Sequence, residues 1–180
     1  MSRLVPPPPV KPLAAIFSRD REDLARAALR FEELVGRLDY ASMVMAFDQT
    51  DYYRAEMGGP LVKRVFSAET LVDPADLVEI KVRTNAVEAE FAIEGRRKVN
   101  IDPGYVSAER LVLATGKNFT HRIYLNQGVW ADLTLVYEKG GFHALPWTYP
   151  DYAAPDMMSV MTDIRNKLLE QLKRRNKESE

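Results

Sequence analysis

Five groups of polar residues in this chain have types and spacing that could carry chemistry. They are Asp48-Gln49-Thr50-Asp51-Tyr52-Tyr53 with Glu56; Lys81, Thr84, Asn85 and Glu88; Asn100 and Asp102; Thr115-Gly116-Lys117 running to His121-Arg122; and Trp147-Thr148-Tyr149-Pro150-Asp151-Tyr152. Lys81, Thr84, Asn85 and Glu88 stand at i, i+3, i+4 and i+7, so a helix would carry them as one polar ribbon. Asn100 and Asp102 alternate with Val99 and Ile101, which on a strand puts an amide and a carboxylate side by side on one face. Asp102 and Glu88 are the candidates for general acid/base work, and His121, beside Arg122, is the better placed of the two histidines. Lys81, Lys117 and Arg122 suit an anion, with Thr84, Asn85, Asn100, Tyr53 and Tyr149 as neutral contacts. The expected ligand is small and anionic, phosphate- or nucleotide-like. No cofactor is assigned.

Each group has a plainer structural role to set beside this one. Carboxylates at turns and helix starts are caps more often than ligands, so no metal is assigned, although Asp48, Asp51, Asp102 and Asp151 would offer magnesium hard oxygens. A partly buried histidine is commonly structural, and aromatics beside proline commonly anchor a loop to the core. Thr115-Gly116-Lys117 resembles the end of a phosphate-binding loop only superficially. That motif needs a glycine where Leu111 stands and a Ser or Thr where Asn118 stands. No Asn-Lys-x-Asp guanine reader and no Gly-x-Ser-x-Gly elbow occur.

Composition narrows the classes. At 180 residues the chain fits one domain with a sizeable core, and a net charge of −1 gives no global pull toward nucleic acid or a membrane surface. The absence of cysteine excludes disulfides, thiolate nucleophiles and Cys-ligated zinc. No apolar run reaches the roughly 18 residues of a membrane span, and Met1 to Pro12 lacks a signal peptide's apolar stretch, so a cytoplasmic location is expected. Residues 1–12, with four consecutive prolines from Pro6 to Pro9, read as an extended arm, 13–173 as one domain and 174–180 as a charged tail.

The elements that must position these groups follow from periodicity and punctuation. Leu13 to Phe17 reads as a central strand; a helix capped by Ser18 or Asp20 ends at Gly36; Tyr40 to Phe47 reads as one strand. A short helical turn is expected around Tyr52 to Glu56, then a strand over Leu61 to Phe66. Asp73-Pro74 with Asp76 marks a helix start, and the stripe Leu77, Ile80, Thr84, Val87, Phe91 carries that helix toward Gly95. Lys98 to Asp102 reads as a strand closed by a type II turn at Pro103-Gly104. Leu111 to Ala114 follows, and then a hairpin from His121 to Glu138. A three-residue loop, Asn126-Gln127-Gly128, would set Leu125 opposite Val129, Ile123 opposite Ala131 and Arg122 opposite Asp132. Phe142 to Trp147 reads as a last strand, and Met157, Met161, Ile164, Leu168 and Leu172 stripe a closing helix. The sum is a single α+β domain: a ferredoxin-like βαββαβ core, its sheet extended by antiparallel hairpins, with a C-terminal amphipathic helix.

At these residues the chain resembles domain-of-unknown-function family 4416, a bacterial family whose members often carry a GTP-binding label. The likeness runs from Pro9-Val10-Lys11-Pro12 to Tyr152. It rests on Thr50-x-Tyr52-Tyr53-x-x-Glu56-Met57-Gly58, Ile80-Lys81-x-x-Thr84-Asn85-x-x-Glu88, Asn100-Ile101-Asp102-Pro103-Gly104-Tyr105, Leu113-Ala114-Thr115-x-Lys117, His121-Arg122-Ile123-Tyr124-Leu125 and Trp147 to Tyr152. The resemblance implies no activity or catalytic residue, and the residues here lend the GTP label nothing. Its motifs coincide with the five polar groups, which favours one convergent site. The competing expectation is a non-catalytic binding or assembly module, whose polar residues form a structural network and whose Tyr/Trp loop meets a protein partner.

Overall fold

The computed structural model describes residues 3–47 and 57–178. The expected turn around Tyr52 to Glu56, and with it Asp48, Asp51 and Tyr53, lies outside them. The strands are β1 (Lys11–Ser18), β2 (Leu38–Ala41), β3 (Met45–Phe47), β4 (Leu61–Ala68), β5 (Val99–Val106), β6 (Arg110–Thr115), β7 (Arg122–Asn126), β8 (Val129–Glu138) and β9 (Gly141–Ala144). The helices are α1 (Arg21–Val35), α2 (Leu77–Glu90) and α3 (Pro155–Glu178). One antiparallel sheet runs β2-β4-β1-β5-β6-β8-β7, with β3 added to β4 and β9 to β8. No helix among the described residues is long and apolar enough to cross a membrane.

β1 is buried along its whole length because both sheet faces are covered. Ala14 and Ile16 face Leu24, Ala27, Phe31, Ile80 and Val87 of α1 and α2. Leu13 and Ala15 face Met157, Met161, Ile164 and Leu168 of α3, the apolar stripe read from the sequence. Local signals set the helix starts. The Asp20 side chain accepts from Glu22 N–H, and Asp73 and Asp76 form a reciprocal capping box ahead of α2, with Pro74 inside it.

Three expectations change. The strand expected over Tyr40 to Phe47 is two, because buried Ser42 interrupts it: its N–H donates to Val65 O at 2.8 Å and its hydroxyl accepts from Val65 N–H at 2.9 Å. The β7–β8 loop has two residues, Gln127 at φ 50° and Gly128 at φ 77°, so Asn126 rather than Leu125 faces Val129. An irregularity between Tyr124 and Asn126 then restores Ile123 opposite Ala131 and Arg122 opposite Asp132, as the alternation requires. Finally, Pro103-Gly104 forms no turn. Both lie inside β5, which continues to Val106.

Candidate functional site

The sheet splits between β5 and β6, and that split makes the site. The two strands pair only over Gly104–Leu113, Tyr105–Val112 and Val106–Leu111. Below that point β6 follows β8 instead, with Ala114 opposite Ala131 and Thr115 opposite Trp130. The edge of β5 so exposed must find other partners. Ile101 N–H donates to Glu88 Oε1 at 2.7 Å, and Ile101 O accepts from Lys81 Nζ at 3.4 Å. Alternate residues of a strand direct their N–H groups to the same side, so Pro103 stands where the next outward N–H would be. It has none to satisfy. Two side chains of α2 thus take the place of a neighbouring strand, which explains why Lys81 and Glu88 lie on the helix's buried face.

The split opens into a cleft of about 640 Å³. One wall is α2, β5 and the segment that joins them: Lys81, Asn85, Glu88, Arg97, Asn100 and Asp102. The other is Thr115, Gly116, Lys117 and Arg122 with the loop carrying Tyr149. The sequence-derived residues Lys81, Asn85, Glu88, Asn100, Asp102, Lys117, Arg122 and Tyr149 therefore converge on one space. Thr84 does not join them: it is fully buried and its hydroxyl donates back to Lys81 O at 3.0 Å. Tyr53 is outside the described residues. His121 stands behind the cleft, its Nε2 3.2 Å from Asp132 Oδ2 and its ring stacked at 5.0 Å on Trp147. It is not placed to act as general base on a molecule in the cleft. Trp147 anchors its loop, donating from Nε1 to Leu133 O at 2.8 Å.

Residues outside the expected set complete the walls. Asp132 holds Arg122, accepting from its Nε at 2.9 Å, while the guanidinium also donates to Lys117 O at 3.0 Å and Tyr149 Oη at 3.1 Å. Arg97 donates to Asn100 Oδ1 at 2.9 Å, which turns the amide so that Asn100 Nδ2 donates to Asp102 Oδ1, also at 2.9 Å. Lys63, buried, pairs with Asp151 and sits 4.2 Å over the Tyr152 ring, tying the loop to β4. Its signal was its parity: Lys63 shares a strand face with Leu61 and Val65, where a lysine is out of place.

Among the described residues the lining holds five cations (Lys63, Lys81, Arg97, Lys117, Arg122) and four carboxylates (Glu88, Asp102, Asp132, Asp151). Lys63 pairs with Asp151, Arg122 with Asp132, and Arg97 with Glu88 Oε2 at 3.4 Å. Burial pushes the Glu88 carboxyl above its ordinary value; Lys81, the Ile101 N–H and Arg97 oppose that, and Asp102 adds to it. Protonation of Glu88 removes a negative charge from the cleft wall. Among the described residues no group of three or more His, Asp and Glu could hold a metal ion.

The model of the family described as a domain of unknown function (DUF4416) matches residues 8–168. The chain belongs to that family. The match spans every strand and both walls of the cleft, so the split sheet lies wholly within the DUF4416 region. No curated protein and no solved structure matches the chain.

Glu88 gives a pH signature. Its folded pKa lies above the unfolded value of 4.5, so between the two the folded chain binds more protons. Its contribution to stability is full below pH 4.5 and is lost as pH rises through the folded pKa. Glu88→Gln keeps an acceptor for Ile101 N–H and removes the titration. Urea unfolding from pH 4 upward should show the variant gaining on the parent as pH rises across that window.

Proposed function

We propose that the cleft binds a small anionic ligand, phosphate- or nucleotide-like, with Asp102 as the group placed to exchange a proton with it. Lys81 carries this reading. Its side chain lies in a residue only 8% exposed, and its one hydrogen bond among the described residues is the 3.4 Å contact to Ile101 O. No carboxylate among the described residues makes an ion pair with it. A buried ammonium with so little compensation is costly, and an anion in the cleft would repay that cost.

Lys81→Met separates binding from stability. Methionine nearly matches the stem in shape and removes the charge. The unliganded variant should be more stable than the parent by about 1 kcal/mol, because a poorly compensated buried charge is gone. The same variant should lose any stabilisation that nucleotides, sugar phosphates or inorganic phosphate give the parent in a thermal-shift panel. Unchanged ligand response in Lys81→Met would refute the reading.

One observation favours a second reading, a protein-binding module. On edge strand β7, Ile123 is 70% and Tyr124 53% exposed, an apolar edge open to strand addition. A silent ligand panel with self- or partner-association lost in Ile123→Lys would support it. For the fold, we infer a ferredoxin-like split βαβ unit in the first half. The order β2-β4-β1-β5, with α1 and α2 together on one face, supports that assignment.

A further inference from the structure

We infer that a second site, a groove between α1 and β4, binds an apolar monocarboxylate: a medium-length acyl chain ending in one carboxylate. Among the described residues it shares no lining with the cleft, so it stands or falls apart from the reading above. The groove follows from how α1 sits on the sheet. The helix packs through Leu24, Ala27 and Phe31 against Ala14 and Ile16 of β1, while β4 carries β2 and β3 beyond it. A groove of about 460 Å³ is left between the helix and these outer strands. Its helix side is Leu24, Ala25, Ala28 and Leu29, where the two alanines keep the wall low. Its strand side is Val62 and Phe66, which share a face of β4, with Leu38 and Val44 beyond them. Leu29 is 60% and Val44 40% exposed, so this apolar surface is open.

The charges on this groove have one sign. Among the described residues its charged lining is Arg21 and Arg64, and neither makes an ion pair there. Glu32, close to Leu38, is already engaged: its carboxylate accepts from Leu38 N–H at 2.9 Å. Arg64 alternates with Val62 and Phe66 on the apolar face of β4. Its guanidinium lies 5.3 Å over the Phe66 ring, and its Nε donates to Ser42 O at the break between β2 and β3. Those two contacts hold the plane and leave both terminal nitrogens without a hydrogen bond among the described residues. A fork held in this way matches a carboxylate with two parallel hydrogen bonds. Apolar walls beside it suit an acyl chain, and a cationic amphiphile would meet two arginines. Size separates a ligand from a protein partner. The helix side, Arg21 to Leu29, is about 12 Å long at about 1.5 Å per residue, the reach of one acyl chain. A stable protein partner covers roughly 800 Å² of each surface.

Titration of the full chain with decanoate, decanol and decylamine, each below its aggregation limit, tests this by calorimetry and by backbone amide shifts. Decanoate should bind at least tenfold more tightly than decanol, and decylamine should not bind. The shifts should gather on α1 and β4 rather than around Lys81. Ala25→Leu fills the groove from an exposed position, so its Tm should match the parent's while decanoate binding falls at least tenfold. Arg64→Gln should bring decanoate down to the level of decanol. Decanol matching decanoate, or decanoate held equally by Ala25→Leu or by Arg64→Gln, overturns the inference. Silence from decanoate does the same. A decanoate response lost in Lys81→Met, with shifts confined to the cleft, places the carboxylate there instead and overturns it as well.

Discussion

Gly104→Ala is expected to lower stability by about 3 kcal/mol, or roughly 6–12 °C in Tm for a domain of this size. Gly104 lies where β5 and β6 come together before the sheet splits, opposite Leu113. A Cβ there would overlap the carbonyl oxygen of Val112 and come within 2.8 Å of Leu113 Cδ2. The first obstacle is backbone in the middle of a strand, so relief requires β6 to move. Leu111 and Leu113 belong to the core beneath α3, and that movement would unpack them. The effect should reach the cleft, because Thr115 to Lys117 hang from the same strand. Ligand response is therefore expected to weaken together with Tm. Gly116→Ala is the control: nothing lies within 4 Å of its added Cβ, and its stability should stay within about 0.5 kcal/mol of the parent. Comparable losses in the two variants would show that close strand approach is not what Gly104 provides.

The same glycine marks where sequence reasoning reached its limit. Pro-Gly is among the strongest turn signals, and a chain read residue by residue takes Pro103-Gly104 as a turn. The structure uses both residues for what they lack. Proline is missing an N–H on the side where β6 has gone, and glycine is missing a Cβ on the side where β6 arrives. Neither use is visible without knowing that β6 diverges, which is a property of its pairing with β8.

Features fixed by local chemistry were legible. The Asp20 and Asp73 caps, the apolar run Leu13 to Phe17 within β1 and the α3 stripe each follow from neighbours within a turn or two of chain. The helix ribbon was legible as polar residues, but not as the buried face that Lys81 and Glu88 occupy, because helical spacing cannot say that a strand edge needs them. Arg122 opposite Asp132 came from the alternation of the hairpin, and it proved to be the pair that holds the far wall. His121, chosen for its neighbour, lies in the turn before β7 and is held between Asp132 and Trp147, outside the cleft lining. Lys11 was assigned to the proline-rich arm. Its parity with Leu13 and Ala15 puts it instead on the sheet face beneath α3.

That lysine supports the second large effect. Lys11 is 0% exposed, and its ammonium donates to Asp39 Oδ2 at 2.8 Å, Ala68 O at 2.7 Å and Gln171 Oε1 at 2.8 Å. Three protons meet three acceptors, drawn from β2, β4 and α3. Burial lowers the Lys11 pKa below its ordinary value, with the Asp39 hydrogen bond and charge opposing the shift. Asp39→Ala removes the only carboxylate that pairs with it among the described residues and leaves a buried charge uncompensated, at a cost of about 3–5 kcal/mol in urea unfolding. The pH dependence has a definite sign. Because the folded pKa is depressed below 10.5, the unfolded chain binds more protons between the two, and stability rises with pH across that window. Removing Asp39 depresses the pKa further and extends the window to lower pH. Adding Lys11→Met to Asp39→Ala should recover much of the loss, because the stranded charge departs with the lysine. A double variant as unstable as Asp39→Ala alone would mean that Asp39 acts through Ser67, whose hydroxyl donates to its Oδ1 at 3.0 Å. Lys11 pairs with Val106 of β5, whereas the cleft opens beside Asn100 to Asp102 at the other end of that strand. Asp39→Ala should therefore depress Tm while leaving the ligand response of the surviving folded chain intact, the opposite of Lys81→Met. Buried Lys11 of the sheet and buried Lys81 of α2 differ in that the first has all its acceptors within the protein, and the second faces a cleft with one long hydrogen bond.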